Sequence, residues 1–297
     1  MKFLTYQVDG REMVGVLNAD EEWVLPLSAA GIEYKTMKEV IREIGASEKE
    51  MLAYIAGRDP HDVAGAAPLS EVKVLSPIPE PGQDIICLGV NYLDHAKESA
   101  KFKKEAFERA VKPVYFSKRA ARTVDPDGGI PAHRNLTKQL DYEAELAVII
   151  GKDAKDVPAE RAAEYVFGYT ILNDVSAREV QTAHKQWYFG KSLDGFAPLG
   201  PWILTADSTE FPPRLAIQSR VNGELRQNAN TELLITGIPE IISELSSGMT
   251  LKAGTIIATG TPAGVGMGFD PPRFLVPGDV VECIIEGIGT LRNTVVE

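Results

Sequence analysis

Three acidic residues stand at alternate positions in LDYEAELAVII, the stretch that spans residues 140–150. They are Asp141, Glu143 and Glu145, and a continuous apolar run follows them. Side chains alternate between the two faces of a β-strand, so a strand here places all three carboxylates on one face. Like charges at a spacing of about 7 Å repel one another and need neutralisation. A bound cation would neutralise them, and a solvated strand face screened by water is the alternative.

A fourth acidic residue, Asp174, stands in YTILNDVSAREVQ, where an apolar strand is predicted to end and a helix to begin. A carboxylate at the end of a strand points out of the sheet into the adjoining cleft. Carboxylates from two segments, with no Cys or His beside them, are hard oxygen ligands that suit Mg²⁺, Mn²⁺ or Ca²⁺ better than Zn²⁺. The alternative is that Asp174 only caps the N-terminus of the helix.

The segment ICLGVNYLDHAKES contains His95 and Glu98, which share one face if the segment is helical. A carboxylate beside a histidine is the usual way to hold an imidazole as a general base at neutral pH. The alternative is an exposed helix that carries a weak ion pair.

Two lysines follow aromatic stretches, Lys118 in VYFSK and Lys191 in WYFGK. Each can place an ammonium group at the end of a strand, where it would bind a carboxylate or stabilise an enolate. Each can equally be a surface lysine with a buried stem. Arg178 and Gln181 follow Asp174 by four and seven residues, so a helix there would align both with that acid.

The loop TGTPAGVGMG, residues 259–268, is rich in glycine but lacks the Gly-Lys-Ser/Thr ending of a phosphate-binding loop. We interpret it as a tight backbone loop that offers N–H groups, including that of Gly260, and the Thr261 hydroxyl to an oxyanion. The chain has no Gly-x-Ser-x-Gly segment, which argues against the nucleophile of an α/β-hydrolase.

The composition favours a globular protein that binds small molecules. The 297 residues are 44% apolar, enough for one large domain or two smaller ones with a sizeable core. The formal net charge of −11 argues against nucleic acid as the partner. A small anionic substrate would therefore need a locally positive site, made by a metal ion or by a few Lys and Arg side chains.

The cysteine usage and the lack of long apolar runs predict a cytoplasmic protein without membrane contact. Cys87 and Cys283 are each flanked by aliphatic residues, which is typical of buried free thiols in a reducing compartment. No apolar run approaches the roughly 18 residues needed to span a bilayer.

The chain order of predicted elements indicates two domains. Residues 2–26 read as short strands, and two helices follow: one from Thr36 as N-cap to Gly45 as stop, and one opened by a capping box of Ser47 and Glu50. The Pro-rich segment SPIPEPG then marks a boundary. We predict a small N-terminal domain, residues 1–75, and a larger catalytic domain, residues 76–297.

The larger part is rich in short β runs, with helices predicted only for residues 158–166, 176–185 and 238–248 and a hairpin at the Asn-Gly of VNGELR. Strands and helices do not alternate regularly, so a doubly wound sheet is disfavoured. The prediction is a β-rich α+β fold with a mixed or antiparallel core.

Six segments, in this order, resemble the fumarylacetoacetate hydrolase family, in its branch of acylpyruvate hydrolases and 2-hydroxyhepta-2,4-diene-1,7-dioate isomerases. They are GVNYLDHAKES, DYEAELAVIIGKD, GYTILNDVSAREVQ, FGKSLDGFAPLGPW, RVNGELRQ and TGTPAGVG. The resemblance covers residues 82–297 and implies the mixed β-sandwich or β-roll of that family, with a small α+β domain added in front. Members are commonly homodimers.

The resemblance also implies roles for the candidate residues. A divalent cation, normally Mg²⁺ or Mn²⁺ and in crystals also Ca²⁺, would be held by Glu143, Glu145 and Asp174. The catalytic residues would be His95, Glu98 and Lys191, the first two on a flexible lid around residues 91–110. Substrate contacts would come from Arg178, Gln181 and Thr261, to which the residue patterns add Gly260 and Lys118. Asp141 matches no ligand position and is predicted to support the site or to be solvated.

The reaction predicted first is hydrolysis of a carbon-carbon bond in a 1,3-diketo acid of the acylpyruvate or fumarylpyruvate type. His95, oriented by Glu98, would activate the attacking water, and the enolate that leaves would be stabilised by the metal and Lys191. The same stabilisation would serve an isomerase or decarboxylase of 2-oxo diacids such as oxaloacetate, or a dehydratase. A protein that keeps the fold for binding or regulation is a further alternative.

Overall fold

The structure is a computed structural model that describes residues 1–103, 106 and 112–297. The predicted lid around residues 91–110 therefore lies only in part within the described residues. The strands are β1 Lys2–Val8, β2 Arg11–Leu17, β3 Trp23–Pro26, β4 Ala67–Pro68, β5 Lys73–Leu75, β6 Ile85–Gly89, β7 Val114–Lys118, β8 Gly129–Pro131, β9 Leu140–Asp141, β10 Ala144–Ile150, β11 Val166–Asn173, β12 Ser176–Ala177, β13 Leu199–Thr205, β14 Ala216–Val221, β15 Glu224–Asn230, β16 Ile256–Ala258, β17 Val280–Ile285 and β18 Gly289–Val296.

Helices are few and short. The α-helices are α1 Met37–Glu43, α2 Ala46–Ala56, α3 Leu93–Lys103, α4 Arg178–Ala183, α5 Tyr188–Lys191 and α6 Ile238–Gly248. Short 3₁₀ helices span Leu27–Ala30, Pro60–Asp62, Leu69–Glu71, Ala159–Tyr165, Ala206–Ser208, Thr231–Leu233 and Gly266–Gly268. Within the described residues, no helix has the length and apolar character needed to cross a bilayer.

Strand β10 lies inside an eleven-stranded sheet, which accounts for the continuous apolar run that follows the acids. The strand order is β4-β3-β2-β1-β13-β11-β10-β16-β6-β7, with β5 also paired to β1. All seven residues of β10 are buried. Leu146 and Val148 pack into one core, and Ala147 and Ile149 pack into a second core on the other face. A strand covered on both faces has no need of polar residues at alternate positions.

A five-stranded sheet, ordered β15-β14-β17-β18-β8, covers one face of the large sheet. Side chains of the two sheets meet in one core, where Leu146 and Ile171 of the large sheet join Ile217, Cys283 and Leu291 of the small sheet. Strands β9 and β12 form a separate two-stranded ribbon. The predicted β-rich, mixed α+β fold is confirmed.

The N-terminal strands extend the large sheet. Strand β1 runs antiparallel to β13, and Lys2 lies opposite Leu204. The core that contains Val40 of α1 also contains Ile149 of β10, so both parts of the chain bury apolar surface together. The division into two domains at residue 75 stays a prediction, and the sheet is continuous across it.

The predicted capping box of the second helix is wrong. Helix α2 begins at Ala46, and the Glu48 side chain accepts a hydrogen bond of 2.8 Å from the Gly45 N–H. Glu48 thus stands three residues after the capping residue, as Glu50 was expected to do after Ser47. Gly45, which was predicted to end the first helix, is instead the N-cap residue of α2.

Other local predictions agree with the structure. Thr36 caps α1 by accepting a hydrogen bond from the Glu39 N–H, and the helix predicted for residues 238–248 is α6. Asn222 and Gly223 connect β14 to β15 with positive φ angles of 51° and 80°, which suit a two-residue hairpin turn. The helix predicted for residues 158–166 is a 3₁₀ helix.

Cys87 and Cys283 are free and buried, as predicted. Burial raises the pKa of both thiols. Because the thiolate is the reactive form, we expect neither thiol to react with Ellman's reagent in the folded protein, and both to react in denaturant. Rapid labelling of a thiol in the folded protein would contradict the packing described for these two residues.

Candidate active site

Three acidic side chains meet where strand β10 begins and the antiparallel strand β11 ends. The antiparallel register places Ala144 opposite Asn173, and the Asp174 N–H donates to the Glu143 carbonyl at 2.9 Å, which continues the pairing by one residue. Glu143, Glu145 and Asp174 each direct one carboxylate oxygen to a common point, and these oxygens lie within 4.8 Å of one another. All three side chains are buried, so the interpretation of a solvated strand face is wrong.

Three cationic side chains lie among these carboxylates. Lys191 Nζ donates to Glu143 Oε2 at 2.8 Å and to Asp174 Oδ2 at 2.7 Å. Lys118 Nζ lies 2.7 Å from Asp174 Oδ1, and Arg178 Nη2 lies 2.7 Å from Glu143 Oε1. Because each of the three cationic residues is at most 2% exposed, the alternative of surface lysines is wrong.

The two lysines reach the cluster from different elements. Lys118 is the last residue of β7, as expected for an ammonium group at a strand end. Lys191 ends the short helix α5, so its predicted place at a strand end is wrong. The segment WYFGK forms a helical turn that places this lysine between two acids.

Asp174 does not cap the helix that follows it. Helix α4 begins at Arg178, and its N-cap residue is Ala177. The predicted alignment of Arg178 and Gln181 with Asp174 along one helix is therefore also wrong. Arg178 and Gln181 align with each other, and Arg178 Nη1 donates to Gln181 Oε1 at 3.0 Å.

Burial and ion pairing act in opposite directions on these groups. Burial raises the pKa of Glu143, but Lys191 and Arg178 outweigh it and hold that pKa well below its usual range. Burial lowers the pKa of Lys191, and the charges of Asp174 and Glu143 more than reverse this. For Lys118, burial lowers the pKa by more than the charge of Asp174 restores.

Glu145 has less compensation than the other two acids. Its carboxylate accepts a hydrogen bond of 2.8 Å from the Gly260 N–H, whereas Glu143 and Asp174 each have two cationic partners. Burial raises the pKa of Glu145 well above its ordinary value, and the charges of Asp174 and Glu143 add to the effect. A cation bound here would neutralise a carboxylate that the protein leaves largely uncompensated.

The donor set fits a hard divalent cation. Glu143, Glu145 and Asp174 supply buried carboxylate oxygens from two neighbouring segments, and Mg²⁺ and Mn²⁺ prefer oxygen ligands of this kind. These residues would hold the ion, and its identity stays a prediction.

Asp141 stabilises the cluster from one side. Its Oδ2 accepts a hydrogen bond of 2.9 Å from Arg178 Nε. The backbone N–H groups of Gly266 and Met267 donate to its two oxygens at 2.6 and 3.0 Å. Asp141 is fully buried, so the solvated option is wrong. Its contacts orient the Arg178 guanidinium toward Glu143.

His95 and Glu98 face the same region from helix α3. His95 Nδ1 lies 3.5 Å from Glu98 Oε2, which is longer than a hydrogen bond. The Glu98 carboxylate accepts the Gly264 N–H at 3.0 and 3.1 Å. His95 is buried, so the alternative of an exposed helix is wrong for this residue. Catalytic contacts are often long in a ligand-free site and shorten with substrate.

Gly268→Ala tests whether the position of Glu98 matters. A β-carbon at Gly268 would lie 2.6 Å from Glu98 Cδ, so the carboxylate must shift from the position that it holds beside His95 and the Gly264 N–H. We expect turnover to fall by at least about tenfold, with a small change in thermal stability because a flexible side chain can shift. Unchanged turnover together with an unmoved Glu98 in a crystal structure would contradict this. Gly248→Ala, where a β-carbon meets no other atom, is the matched control.

Thr261 and Lys118 use their polar groups within the protein. The Thr261 hydroxyl donates to the Ala144 carbonyl at 2.9 Å and accepts from Gln227 Nε2 at 2.7 Å. Lys118 Nζ also donates to the carbonyls of Val175 and Lys191. The substrate contacts expected of Thr261, Gly260 and Lys118 stay predictions, and in the structure all three hold the acid cluster in place.

A cavity of about 500 Å³ opens over the cluster. It is lined by seven of the predicted site residues, namely His95, Glu143, Glu145, Arg178, Gln181, Lys191 and Thr261. The other four, Glu98, Asp174, Gly260 and Lys118, contact residues that line it. The structure thus brings the predicted site residues together around one space, and their individual roles stay predictions.

Several residues of the site are not predicted from the sequence. Gln227 connects β15 to β10 by accepting the Ala144 N–H at 3.1 Å. Asn173 Oδ1 accepts the Glu143 N–H at 3.0 Å. Phe116 and Trp187 line the cavity as aromatic walls. A glutamine or asparagine within a buried β run is the one pattern that would have identified the first two.

Comparison with known proteins agrees with this architecture. The family model described as Fumarylacetoacetate (FAA) hydrolase C-terminal matches residues 84–296. The chain belongs to the fumarylacetoacetate hydrolase family. Among curated proteins, it is 43% identical over 305 aligned positions to oxaloacetate tautomerase YisK of Bacillus subtilis, covering 99% of this chain and 100% of that one.

Two solved structures extend the likeness over the whole chain. A fumarylacetoacetate hydrolase from psychrophilic Exiguobacterium antarcticum is 41% identical, with a TM-score of 0.80 and coverage of 100% of this chain and 99% of that one. A 2-hydroxyhepta-2,4-diene-1,7-dioate isomerase from Mycobacterium marinum is 32% identical, with a TM-score of 0.71 and coverage of 100% and 98%.

Proposed function

We propose that the protein is an isomerase that moves a proton between carbon and oxygen in 2-oxo diacids, with the keto-enol conversion of oxaloacetate as its reaction. The observation that carries the proposal is the 43% identity, over the full length of both chains, to a protein named oxaloacetate tautomerase. The isomerase structure at 32% identity supports the same class of reaction. Hydrolysis of a carbon-carbon bond, the reaction predicted first from the sequence, becomes the second candidate.

One comparison supports carbon-carbon bond hydrolysis, namely the 41% identity to a structure named fumarylacetoacetate hydrolase. Both reactions need the same stabilised enolate. They differ in whether a water molecule attacks a second carbonyl group, and the experiment below separates them by product.

Proton transfer needs a base beside C3 of oxaloacetate, and His95 is positioned for this role. Its imidazole is buried and lines the cavity. Glu98 lies on the side of Nδ1 at 3.5 Å, so a proton taken up by the ring is stabilised by the neighbouring carboxylate. His95 takes the proton from C3 and then delivers it to the oxygen on C2, so that the enol forms with no atom gained or lost and the histidine returns to its starting state.

Two further residues and a divalent cation would bind and orient the substrate. The Lys191 ammonium, held between two acids, lies where it can stabilise negative charge on the C2 oxygen. Because Gln181 Oε1 already accepts from Arg178, the amide nitrogen of Gln181 is left for a substrate carboxylate. A divalent cation held by the three acids would polarise the 2-oxo group.

The test uses protein stripped of metal and then assayed with and without Mg²⁺ or Mn²⁺. The enol form of oxaloacetate absorbs in the near ultraviolet, and its decay measures tautomerisation. We expect metal-dependent acceleration with no release of pyruvate or carbon dioxide. Pyruvate and a second carboxylic acid from an acylpyruvate would instead establish the hydrolase, and pyruvate with carbon dioxide a decarboxylase. Turnover independent of metal would contradict the role assigned to the acid cluster.

Three other sequence predictions stay predictions. They are the homodimer, the cytoplasmic location and the preference for Mg²⁺ or Mn²⁺. A small anionic 2-oxo acid as partner forms part of the proposal above.

A further inference from the structure

The cavity extends from the buried acid cluster to a mouth that carries basic side chains. Lys103 at the end of α3, and His184 and Lys185 after α4, line the cavity and are exposed. Within the described residues, the acids that line it are Glu143 and Glu145, which are buried at its other end. The inner end therefore combines these acids with the buried cations Arg178 and Lys191, and the described part of the mouth is positive.

A row of two aromatic rings with a lysine at each end joins the two ends of the cavity. Lys191 Nζ lies 5.3 Å from the centroid of the Phe116 ring, and the Phe116 and Trp187 ring centroids lie 5.3 Å apart. Lys103 Nζ lies 5.4 Å from the Trp187 ring. Gly89 lies against this indole, and a β-carbon there would overlap it. The row fixes one ammonium group inside and one at the mouth, with an apolar surface between them.

The net charge of the side chains at the inner end of the cavity, together with a divalent cation, would be balanced by one substrate carboxylate. Four carboxylates, those of the metal-binding trio and Asp141, face the three cations Lys118, Arg178 and Lys191, which leaves a formal charge of minus one. A divalent cation changes this to plus one, which a single carboxylate balances. A second carboxylate buried here would have no counter-charge.

We propose that Lys103, His184 and Lys185 form the subsite for the distal carboxylate of a 2-oxo dicarboxylate longer than oxaloacetate, whose middle carbons pack on Phe116 and Trp187. The inference rests on the proposed function and names the residues that make the site prefer diacids to monoacids. Charge-assisted contacts to the distal carboxylate supply the preference, and the positive mouth attracts dianions from solution.

Two 2-oxo acids of equal chain length test the subsite. 2-Oxoadipate and 2-oxohexanoate differ only in the distal carboxylate, and their affinities for the Mg²⁺-loaded protein are measured by titration calorimetry. We expect the unchanged protein to bind the diacid at least about tenfold more tightly. The double variant Lys103→Ala/Lys185→Ala should lose this preference with the monoacid affinity unchanged. Lys97→Ala, an exposed lysine of α3 paired with Asp94, is the control and should keep it.

The outcomes separate this inference from the proposed function. Equal binding of the two ligands by the unchanged protein, or a preference retained in the double variant, would overturn the subsite. An equal loss of affinity for both ligands would also overturn it, because the lysines would then support the site in general. A protein that keeps the diacid preference but does not tautomerise oxaloacetate would refute the function and leave the subsite standing.

Discussion

Glu145→Gln is expected to lower the affinity for Mg²⁺ or Mn²⁺ by at least about 100-fold while the chain still folds. The change replaces one of three carboxylate ligands by a neutral amide. In the presence of chelator, the variant should be as stable as the unchanged protein or more stable. Glu145 makes no ion pair among the described residues, and a neutral amide can keep the hydrogen bond from the Gly260 N–H. Calorimetric titration with Mn²⁺ and thermal unfolding in chelator measure the two effects.

Glu143→Gln is the matched control, because the same change at this position breaks ion pairs with Arg178 and Lys191. It leaves two buried cations short of a partner, and we expect a loss of about 3–5 kcal/mol in the free energy of unfolding in chelator. If Glu143→Gln and Glu145→Gln destabilised the metal-free protein equally, the two carboxylates would not differ in charge compensation as described.

His95→Ala should reduce turnover by between about 100-fold and 10,000-fold, which is the usual contribution of a positioned general base. Metal affinity should stay within about twofold, since His95 supplies no ligand to the acid trio. Steady-state kinetics with oxaloacetate and Mn²⁺ titration measure these two quantities on the same preparation.

The control for this variant is His61→Ala. His61 is exposed and packs against the Trp23 ring, far along the chain from the cavity-lining residues. We expect it to leave turnover unchanged. Loss of metal binding in His95→Ala would show that the histidine supports the acid cluster, and near-normal turnover would remove it from the mechanism.

The directions of Glu143 and Glu145 follow from the alternation of side chains along a strand, which is a local property. The sequence pattern therefore placed both acids on one side, opposite Tyr142 and Leu146, which pack in the core between the sheets. The same pattern placed Asp141 on that face too, although the structure interrupts the strand at residues 142–143. It left the role of Asp141 open, because the partners of this residue are Arg178 and the backbone of a loop more than a hundred residues later. No local rule links such segments.

Three other features needed the folded chain. Lys191 lies between two acids because a helical turn, rather than a strand, carries it there. Lys103 and Lys185 look like ordinary surface lysines, and only the cavity brings them together. The extension of the large sheet by β1 depends on a pairing with β13, for which neither strand carries a specific signal.

The pairing of Lys2 with Leu204 also bears on how the chain is made. Strand β1 has part of its edge open until β13 has been synthesised, and the bonds it forms there span most of the chain. Contacts of such sequence separation form late and slow the folding of a domain. A nascent chain stalled before residue 199 would present that open edge to other chains, so we expect it to be prone to edge-to-edge pairing at this stage of synthesis.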